Sequence, residues 1–248
     1  MNHKPLDLNT VQAYVAAHIG DFHQRRLESL QRLRLRRILK RKNPYLFRAK
    51  HILTAEALVR SILDAHLSSQ EETLFGEFLE GLAIFVCAQA YGGHKSTAEG
   101  IDLEFQKDAV YYIVSIKSGP NWGNSSQINR MRRNFQQAQR RLRQNPDISQ
   151  VVAVNGCAYG QDNHPDKGDY LKLCGQRFWE FISGNDRLYL DIIEPLGHQA
   201  REHNAAFRQA YAALVNRLTQ ELLNDFCTPE GMIDWEKLVI FNAAARTL

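Results

Sequence analysis

An aspartate and a lysine stand near the ends of two adjacent β-like segments, where they could act together. Asp102 lies in a run that alternates apolar and acidic residues, and Lys117 ends a β-branched and aromatic run that follows a polar turn. Residues two apart share one face of a strand, so Asp102 shares a face with Glu104, and Ser115 shares a face with Lys117. A hairpin would bring these four side chains together.

This combination of side chains suits metal-assisted hydrolysis of a phosphodiester bond. The Asp102 carboxylate and the backbone carbonyl of Ile116 are hard oxygen ligands of the kind that Mg²⁺ prefers. Bound Mg²⁺ lowers the pKa of its water and neutralises charge on a phosphate, and Lys117 would hold that water or help to deprotonate it. The bare spacing is weakly specific, because an ordinary exposed strand pair also produces it.

The distribution of charge favours a polyanionic partner. The net charge is +4, yet residues 21–42 hold nine Lys and Arg against Asp21 and Glu28, and residues 118–146 hold no acidic residue. Such stretches are typical of nucleic-acid binding, although each is also compatible with a solvated helix face. The candidate phosphate contacts of the first stretch are Arg25, Arg26, Arg32, Arg36, Arg37, Lys40 and Arg41.

The N-terminal third of the sequence has helical periodicity. The spacing of apolar residues predicts one helix over residues 10–42, which ends at Asn43-Pro44. It also predicts a helix over residues 54–67. A Ser68 cap with acidic residues in the first turn predicts that a separate apolar helix begins there and runs to about residue 90.

The pattern changes from helix to strand after Gly92-Gly93. A hairpin is predicted from Gly100 to Lys117, followed by an arginine-rich helix that an Asn124–Gln127 capping box opens. The buried-type strand over residues 150–156 comes directly after that helix, so a parallel crossover is expected. The remaining predictions are a polar loop over 160–169, a short helix over 176–182, a strand over 188–193 and a long helix over 200–225.

The hairpin and the loop after it resemble the core of the PD-(D/E)XK nucleases. The residues that carry the resemblance are Asp102, the strand end Ile113–Lys117 and above all the run Ile116–Asn124. In detail they resemble type II restriction endonucleases of the PmeII family, a group related to enzymes that cut degenerate GG…CC sites. In that family the aspartate and the acid two residues before the lysine bind Mg²⁺, while the lysine positions the attacking water.

The resemblance implies an α/β fold, with a restriction-endonuclease-like mixed β-sheet flanked by helices. A helical N-terminal arm and a C-terminal helical layer complete this expectation. We expect residues 1–67 to form the basic arm with its packing helices, and residues 68–248 to form the nuclease domain, with no clear linker between them.

The sequence departs from the family pattern at Ser115, which stands in the place of the second metal-binding acid. A hydroxyl supplies no charge, so the expected Mg²⁺ site is short of one carboxylate. Glu104, Glu80 and Glu77 are candidates to replace it, because some nucleases of this fold recruit a carboxylate from elsewhere. Ser115 is also expected to face an open cleft, where a longer side chain would be tolerated.

The leading hypothesis is a Mg²⁺-dependent type II restriction endonuclease that hydrolyses double-stranded DNA at a short palindromic site. We expect a homodimer and a cognate DNA methyltransferase in the same system. The alternatives are a catalytically weakened or silent DNA-binding protein of the same fold and a structure-selective repair nuclease. Candidate DNA contacts after the hairpin are Asn121, Trp122, Asn124, Ser125, Gln127, Arg130, Arg132 and Arg133.

The sequence gives no indication of a membrane protein. No uninterrupted apolar run approaches the ~18 residues that a membrane span requires. The four cysteines are far apart and form no Cys-x-x-Cys pair. We therefore expect a cytoplasmic protein with no membrane partner.

Overall fold

The computed structural model describes residues 4–245, which form ten helices and a five-stranded sheet. The helices are α1 (Leu8–Gln31), α2 (Leu35–Leu39), α3 (Pro44–Ala49), α4 (Ala55–Tyr91), α5 (Ser125–Leu142), α6 (Gln176–Ser183), α7 (Leu188–Asp191), α8 (Ile193–Leu196), α9 (Ala200–Phe226) and α10 (Trp235–Ala243). The strands are β1 (His94–Lys95), β2 (Leu103–Lys107), β3 (Val110–Lys117), β4 (Val151–Cys157) and β5 (Leu171–Cys174).

The chain divides into two compact units. Unit 1 consists of Met1–Ile19 and Phe75–His198, and unit 2 consists of Gly20–Leu74 and Gln199–Leu248. The whole sheet belongs to unit 1, while the described part of unit 2 is helical. The predicted division of the chain after residue 67 stays a prediction.

The sheet of unit 1 is mixed, with strand order β1-β2-β3-β4-β5. Strands β1, β2 and β3 pair antiparallel, whereas β3, β4 and β5 run parallel. Helix α5 lies between β3 and β4 in the chain, which confirms the predicted hairpin and parallel crossover. One apolar cluster joins α4 and α6 to strand residues such as Leu103 and Val114, and a second joins α5 to Ile113 and Ala153. The predicted α/β fold, a mixed sheet flanked by helices, is confirmed.

The hairpin turn fixes which residues of β2 and β3 meet. Asp108 and Ala109 both have positive φ, at 51° and 64°, which closes the hairpin tightly. Leu103 pairs with Val114 across the antiparallel ladder. The ladder continues one residue beyond β2, because the Asp102 N–H donates to the Val114 carbonyl at 2.8 Å. This register places Asp102 beside Ser115.

The predicted strand over residues 188–193 is wrong, because α7 and α8 occupy that segment. Leu188 and Ile192, four residues apart, are buried, whereas Leu190 and Ile193 are exposed. That spacing matches a helical turn rather than a strand. Strand β5 was missed because it has only four residues, and its Lys172 interrupts the apolar pattern.

The predicted single helix over residues 10–42 is also wrong, because the chain is extended at Arg34 between α1 and α2. Leu33 and Leu35 both belong to the core of unit 2. In a continuous helix these two side chains would lie about 200° apart and would not face one core. The break lets both be buried, and the Arg217 guanidinium donates to the freed Leu33 carbonyl at 3.2 Å.

Helix α4 joins two helices that the sequence predicts as separate. It continues through Ser68 and Ser69, where a cap and a new helix were expected. By length and composition α4 would reach across a membrane, with a mean hydropathy of 1.4 in its most apolar window. Length and composition are weak evidence for a membrane span, since buried core helices meet the same criterion; Leu82 and Val86 of α4 lie in a core cluster.

A histidine pair lies inside unit 2. The His23 ring of α1 stacks on the His203 ring of α9 with 4.6 Å between centroids. The Nδ1 atom of His23 is buried and has no hydrogen-bond partner among the described residues. Burial, the neighbouring His203 and the Arg26 guanidinium lower the pKa of His23 below 6.5. The folded protein therefore favours neutral His23.

We expect this histidine to make stability depend on pH. Unfolded His23 takes up a proton near pH 6.5, whereas folded His23 does so only at lower pH, so the free energy of unfolding falls as the pH drops below that value. His23→Phe keeps an aromatic ring and removes this titration. The fall in Tm between about pH 7.5 and about pH 5 is expected to be smaller for His23→Phe than for wild type. Parallel Tm curves would contradict the assignment.

Candidate active site

Asp102 is held against the end of β3. Its Oδ2 atom accepts a hydrogen bond from the Ile116 backbone N–H at 2.6 Å and lies 3.5 Å from the Ser115 hydroxyl. Because a backbone amide fixes one carboxylate oxygen, the side chain is oriented without help from a flexible partner. The carboxylate of Asp102 is partly exposed.

Lys117 brings its ammonium to the same place. The Nζ atom donates to the Ile116 carbonyl at 2.8 Å and lies 3.7 Å from Asp102 Oδ2. The ammonium therefore contacts both oxygen atoms that the sequence proposes as metal ligands, the Asp102 carboxylate and the Ile116 carbonyl. The structure brings Asp102, Ser115 and Lys117 together as the hairpin predicts.

Ser115 does not face an open cleft, contrary to the expectation from the sequence. Its residue surface is 2% exposed, and β4 runs alongside in parallel register. The neighbouring strand residue in that register is Asn155, which is also buried. A longer charged side chain at this position would therefore be placed in a packed interior rather than in solvent.

Glu104 lies on the same strand face as Asp102, but its carboxylate is used elsewhere. One oxygen accepts the Ser96 hydroxyl, and the other accepts the Tyr111 hydroxyl at 2.7 Å. Burial and this hydrogen bond raise the pKa of Tyr111, which keeps the phenol protonated as a donor. Glu104 is 5% exposed, so in this structure it is a buried, doubly hydrogen-bonded acid.

The two helical candidates for the missing carboxylate lie on α4. Glu80 lies 3.4 Å from the Lys95 ammonium of β1, and Glu77 is exposed. Gly76 of the same helix approaches the hydroxyl of Ser118, the residue after Lys117, so closely that a Cβ there would come within 2.6 Å of that oxygen. This part of α4 therefore packs beside the end of β3, while Glu80 is paired with a base.

The oxygen ligands of this site fit Mg²⁺ if the protein supplies only a few of the ligands of the ion. Between residues 4 and 245 no group of three or more His, Cys, Asp or Glu side chains is arranged to hold a metal ion. Mg²⁺ sites in phosphoryl-transfer enzymes commonly use one or two carboxylates together with substrate phosphates and waters, rather than a full protein cage. Asp102 and the Ile116 carbonyl meet that smaller requirement.

Trp122, which the sequence predicts as a DNA contact, and Asn155, which the sequence interpretation missed, lie beside Lys117 and Ser115. The Asn155 side chain of β4 donates to the Ser115 carbonyl at 3.1 Å and accepts from Trp122 Nε1 at 3.0 Å. The Lys117 ammonium lies 5.4 Å from the centroid of the Trp122 ring. Only the parallel register of β4 on β3 reveals Asn155, and no motif in the sequence marks it.

The loop before α5 and the first turns of that helix hold the other predicted DNA contacts. Asn124 and Gln127 form the predicted capping box, so their side-chain oxygens accept backbone N–H groups. Arg130 pairs with Glu99 at 2.7 Å, and Arg132 lies 3.3 Å from Asp169. The exposed members of the set are Asn121, Asn124, Ser125, Gln127, Arg130 and Arg133.

The basic stretch of unit 2 is divided between structural and exposed side chains. Arg26 is 17% exposed, pairs with Glu71 and lies 3.5 Å from the Phe207 ring centroid. Arg36 pairs with Asp225 at 2.9 Å, and Arg32 pairs with Glu28 at 3.2 Å. The members of the predicted set that are exposed are Arg25, Arg32, Arg36, Arg37, Lys40 and Arg41.

A protein-family model matches most of the chain. The model of the type II restriction endonuclease EcoO109I family matches residues 9–204, about four fifths of the chain, including the hairpin, α5, β4 and β5. No curated protein matches the chain. The match supports the predicted relationship to restriction endonucleases of the PD-(D/E)XK type, through the EcoO109I family rather than the PmeII family. The chain belongs to the type II restriction endonuclease EcoO109I family.

Proposed function

We propose that this protein hydrolyses phosphodiester bonds of double-stranded DNA at a short palindromic site in the presence of Mg²⁺. The observation that carries the proposal is the cluster of Asp102, Lys117 and the Ile116 carbonyl at the end of the hairpin. Membership of a restriction endonuclease family supports DNA as the substrate. Degenerate GG…CC sequences are the first sites to test, because the sequence resembles enzymes related to cutters of such sites.

Each residue of the cluster would have its own role in the hydrolysis. Asp102 and the Ile116 carbonyl would hold Mg²⁺, which supplies charge neutralisation at the scissile phosphate and acidifies a bound water. Lys117 donates hydrogen bonds toward the attacking water and the phosphate. The Ile116 N–H keeps Asp102 Oδ2 directed at the site.

We place the metal on a single carboxylate. Glu104 would have to leave Ser96 and Tyr111 to reach a metal, and Glu80 would have to leave Lys95. A phosphate oxygen of bound DNA supplies negative charge without either rearrangement. A homodimer suits a palindromic site, because two identical chains then meet two equivalent strands. A cognate DNA methyltransferase would protect the host DNA.

A DNA-binding protein without nuclease activity is the second candidate, and Ser115 is the observation that favours it. A family acid is replaced there by a neutral, buried hydroxyl. Incubation of plasmid DNA with the purified protein and Mg²⁺ separates the candidates: discrete fragments support a restriction endonuclease, and binding without cleavage supports the second candidate.

Lys117→Ala is expected to abolish cleavage. Its affinity for duplex DNA should stay within a few-fold of the wild-type value, because many other Lys and Arg side chains contribute to phosphate affinity. Plasmid cleavage and a binding titration with Ca²⁺ in place of Mg²⁺ measure the two effects. Lys237→Ala is the matched control, since it removes an exposed lysine of α10. A wild-type cleavage rate in Lys117→Ala would show that the proposed site does not catalyse cleavage.

Ser115→Glu is expected to destabilise the protein by roughly 2–4 kcal/mol without metal, because it adds a buried charge near the Asp102 carboxylate. Added Mg²⁺ should raise the Tm of this variant more than that of wild type, since the new carboxylate is a second potential ligand. Ser115→Ala is the control and adds no charge. Equal Mg²⁺ effects on the Tm of all three proteins would place the metal away from Ser115.

The exposed Lys and Arg side chains of unit 2 are expected to supply affinity for DNA that does not depend on the DNA sequence. Combined replacement of Arg37, Lys40 and Arg41 by Gln should weaken binding and reduce the slope of log K against log salt by about 0.9 for each phosphate that the protein no longer neutralises. Arg26→Gln is not a suitable probe, because Arg26 packs inside unit 2. An unchanged salt slope in the triple variant would show that this surface does not face DNA.

A further inference from the structure

Trp122 and Asn155 form a side-chain support beside Lys117. We propose that this support positions the Lys117 ammonium for catalysis: Trp122 covers it with its ring, and Asn155 fixes Trp122. The catalytic meaning of this support rests on the proposed function of Lys117. The physical arrangement itself can be tested separately.

Asn155 is the fixed end of the support. It is 1% exposed and stands beside Ser115 in the parallel register of β3 and β4. Its Nδ2 donates to the Ser115 carbonyl at 3.1 Å, and its Oδ1 accepts from Trp122 Nε1 at 3.0 Å. A buried amide that uses both ends has one orientation, because rotation would bring two acceptors or two donors together.

Trp122 is the end of the support that contacts the lysine. Its half-buried ring lies under the Lys117 ammonium, with 5.4 Å between Nζ and the ring centroid. A cation over an aromatic face is attracted by the negative charge density of that face. A lysine side chain is long and flexible, so a ring on one side removes many of its alternative positions.

The loop that carries Trp122 is itself held to the sheet. The Lys172 ammonium of β5 donates to the Pro120 carbonyl at 2.9 Å and lies 3.5 Å from the Asp162 carboxylate. Gly119 packs so closely on the Tyr159 ring that a Cβ there would come within 2.3 Å of it. The indole is therefore anchored through its loop and through Nε1.

This anchoring favours a positioning role for Trp122 over the predicted contact with DNA. Indole has one hydrogen-bond donor, and that donor is given to Asn155. A positioning residue acts on turnover of bound substrate, whereas a DNA contact acts on affinity. The two roles therefore separate in kcat and KM.

The first experiment compares Trp122→Leu and Trp122→Phe in steady-state cleavage of an oligonucleotide duplex. Trp122→Leu is expected to lower kcat by about 10- to 100-fold with KM within about twofold of wild type, since small misplacement of a catalytic group has effects of this size. Trp122→Phe keeps an aromatic face but loses the Nε1 hydrogen bond to Asn155, so its kcat should lie between those of wild type and Trp122→Leu. Tyr45→Leu removes an exposed aromatic ring of α3, which makes none of these contacts, and serves as the control.

The second experiment measures whether Trp122 and Asn155 affect kcat independently or together. Asn155→Leu removes the same hydrogen bond and is expected to lower kcat about as far as Trp122→Phe does. Adding Asn155→Leu to Trp122→Leu should cause little further loss, because Asn155 acts through Trp122. Near-ultraviolet circular dichroism and Tm establish that the variants are folded. Losses of kcat that multiply in the double variant would contradict a shared path.

A third measurement does not depend on cleavage. Brief labelling of the folded protein with acetic anhydride, followed by peptide mass spectrometry, reports how accessible each lysine is. Trp122→Leu should speed labelling of Lys117 several-fold and leave Lys95 unchanged, because the ring covers Lys117, whereas Lys95 pairs with Glu80. The labelling ratio therefore tests the support even if wild-type protein does not cleave DNA.

The outcomes separate the two proposals. Absence of cleavage by wild type, together with faster labelling of Lys117 in Trp122→Leu, would refute the proposed function and keep the support. Cleavage by wild type with unchanged kcat and raised KM in Trp122→Leu would assign Trp122 to DNA binding and overturn the support. Unchanged labelling of Lys117 would overturn it as well.

Discussion

The site depends on one hydrogen bond, from the Ile116 backbone amide to Asp102 Oδ2 at 2.6 Å. A backbone donor has no rotamers to lose, so it fixes the carboxylate at little entropic cost. The tight turn at Asp108 and Ala109 and the register of β2 on β3 bring these groups together. The same register brings the Lys117 side chain to this end of β3, where its ammonium contacts the Asp102 carboxylate and the Ile116 carbonyl.

Local patterns in the sequence predict the elements that carry this register. The alternation around Asp102 and the β-branched run before Lys117 predict the hairpin, and the capping box of Asn124 predicts the start of α5. Tertiary packing decides the rest. The break at Arg34 buries two leucines together, and the burial of Ser115 depends on β4, a partner about forty residues away in the chain. The role of Asn155 could not be predicted from the sequence for the same reason, because it depends on tertiary contacts with Ser115 and Trp122.

A stretch of basic residues in the sequence does not reveal which of its Lys and Arg side chains are available to a ligand. Arg26 and Arg37 lie in the same basic stretch, yet Arg26 packs between Glu71 and Phe207 while Arg37 is exposed. A guanidinium can neutralise a buried acid and cover an aromatic ring, so part of the positive charge stabilises the fold of unit 2. The net charge of the stretch therefore overstates the number of phosphate contacts it offers.

Under the proposed function, the charge balance of the site would connect Mg²⁺ binding to DNA binding. The single negative charge of Asp102 faces the single positive charge of Lys117 at 3.7 Å, and Glu104 uses both of its oxygens on neutral hydroxyls. A divalent cation beside this pair would leave excess positive charge, which a scissile phosphate compensates. We therefore expect Mg²⁺ and DNA to bind cooperatively, each raising the affinity of the other by the same factor. On this proposal the substrate would supply the negative charge that a family acid would bring at Ser115, and Mg²⁺ would be held firmly only when DNA is bound.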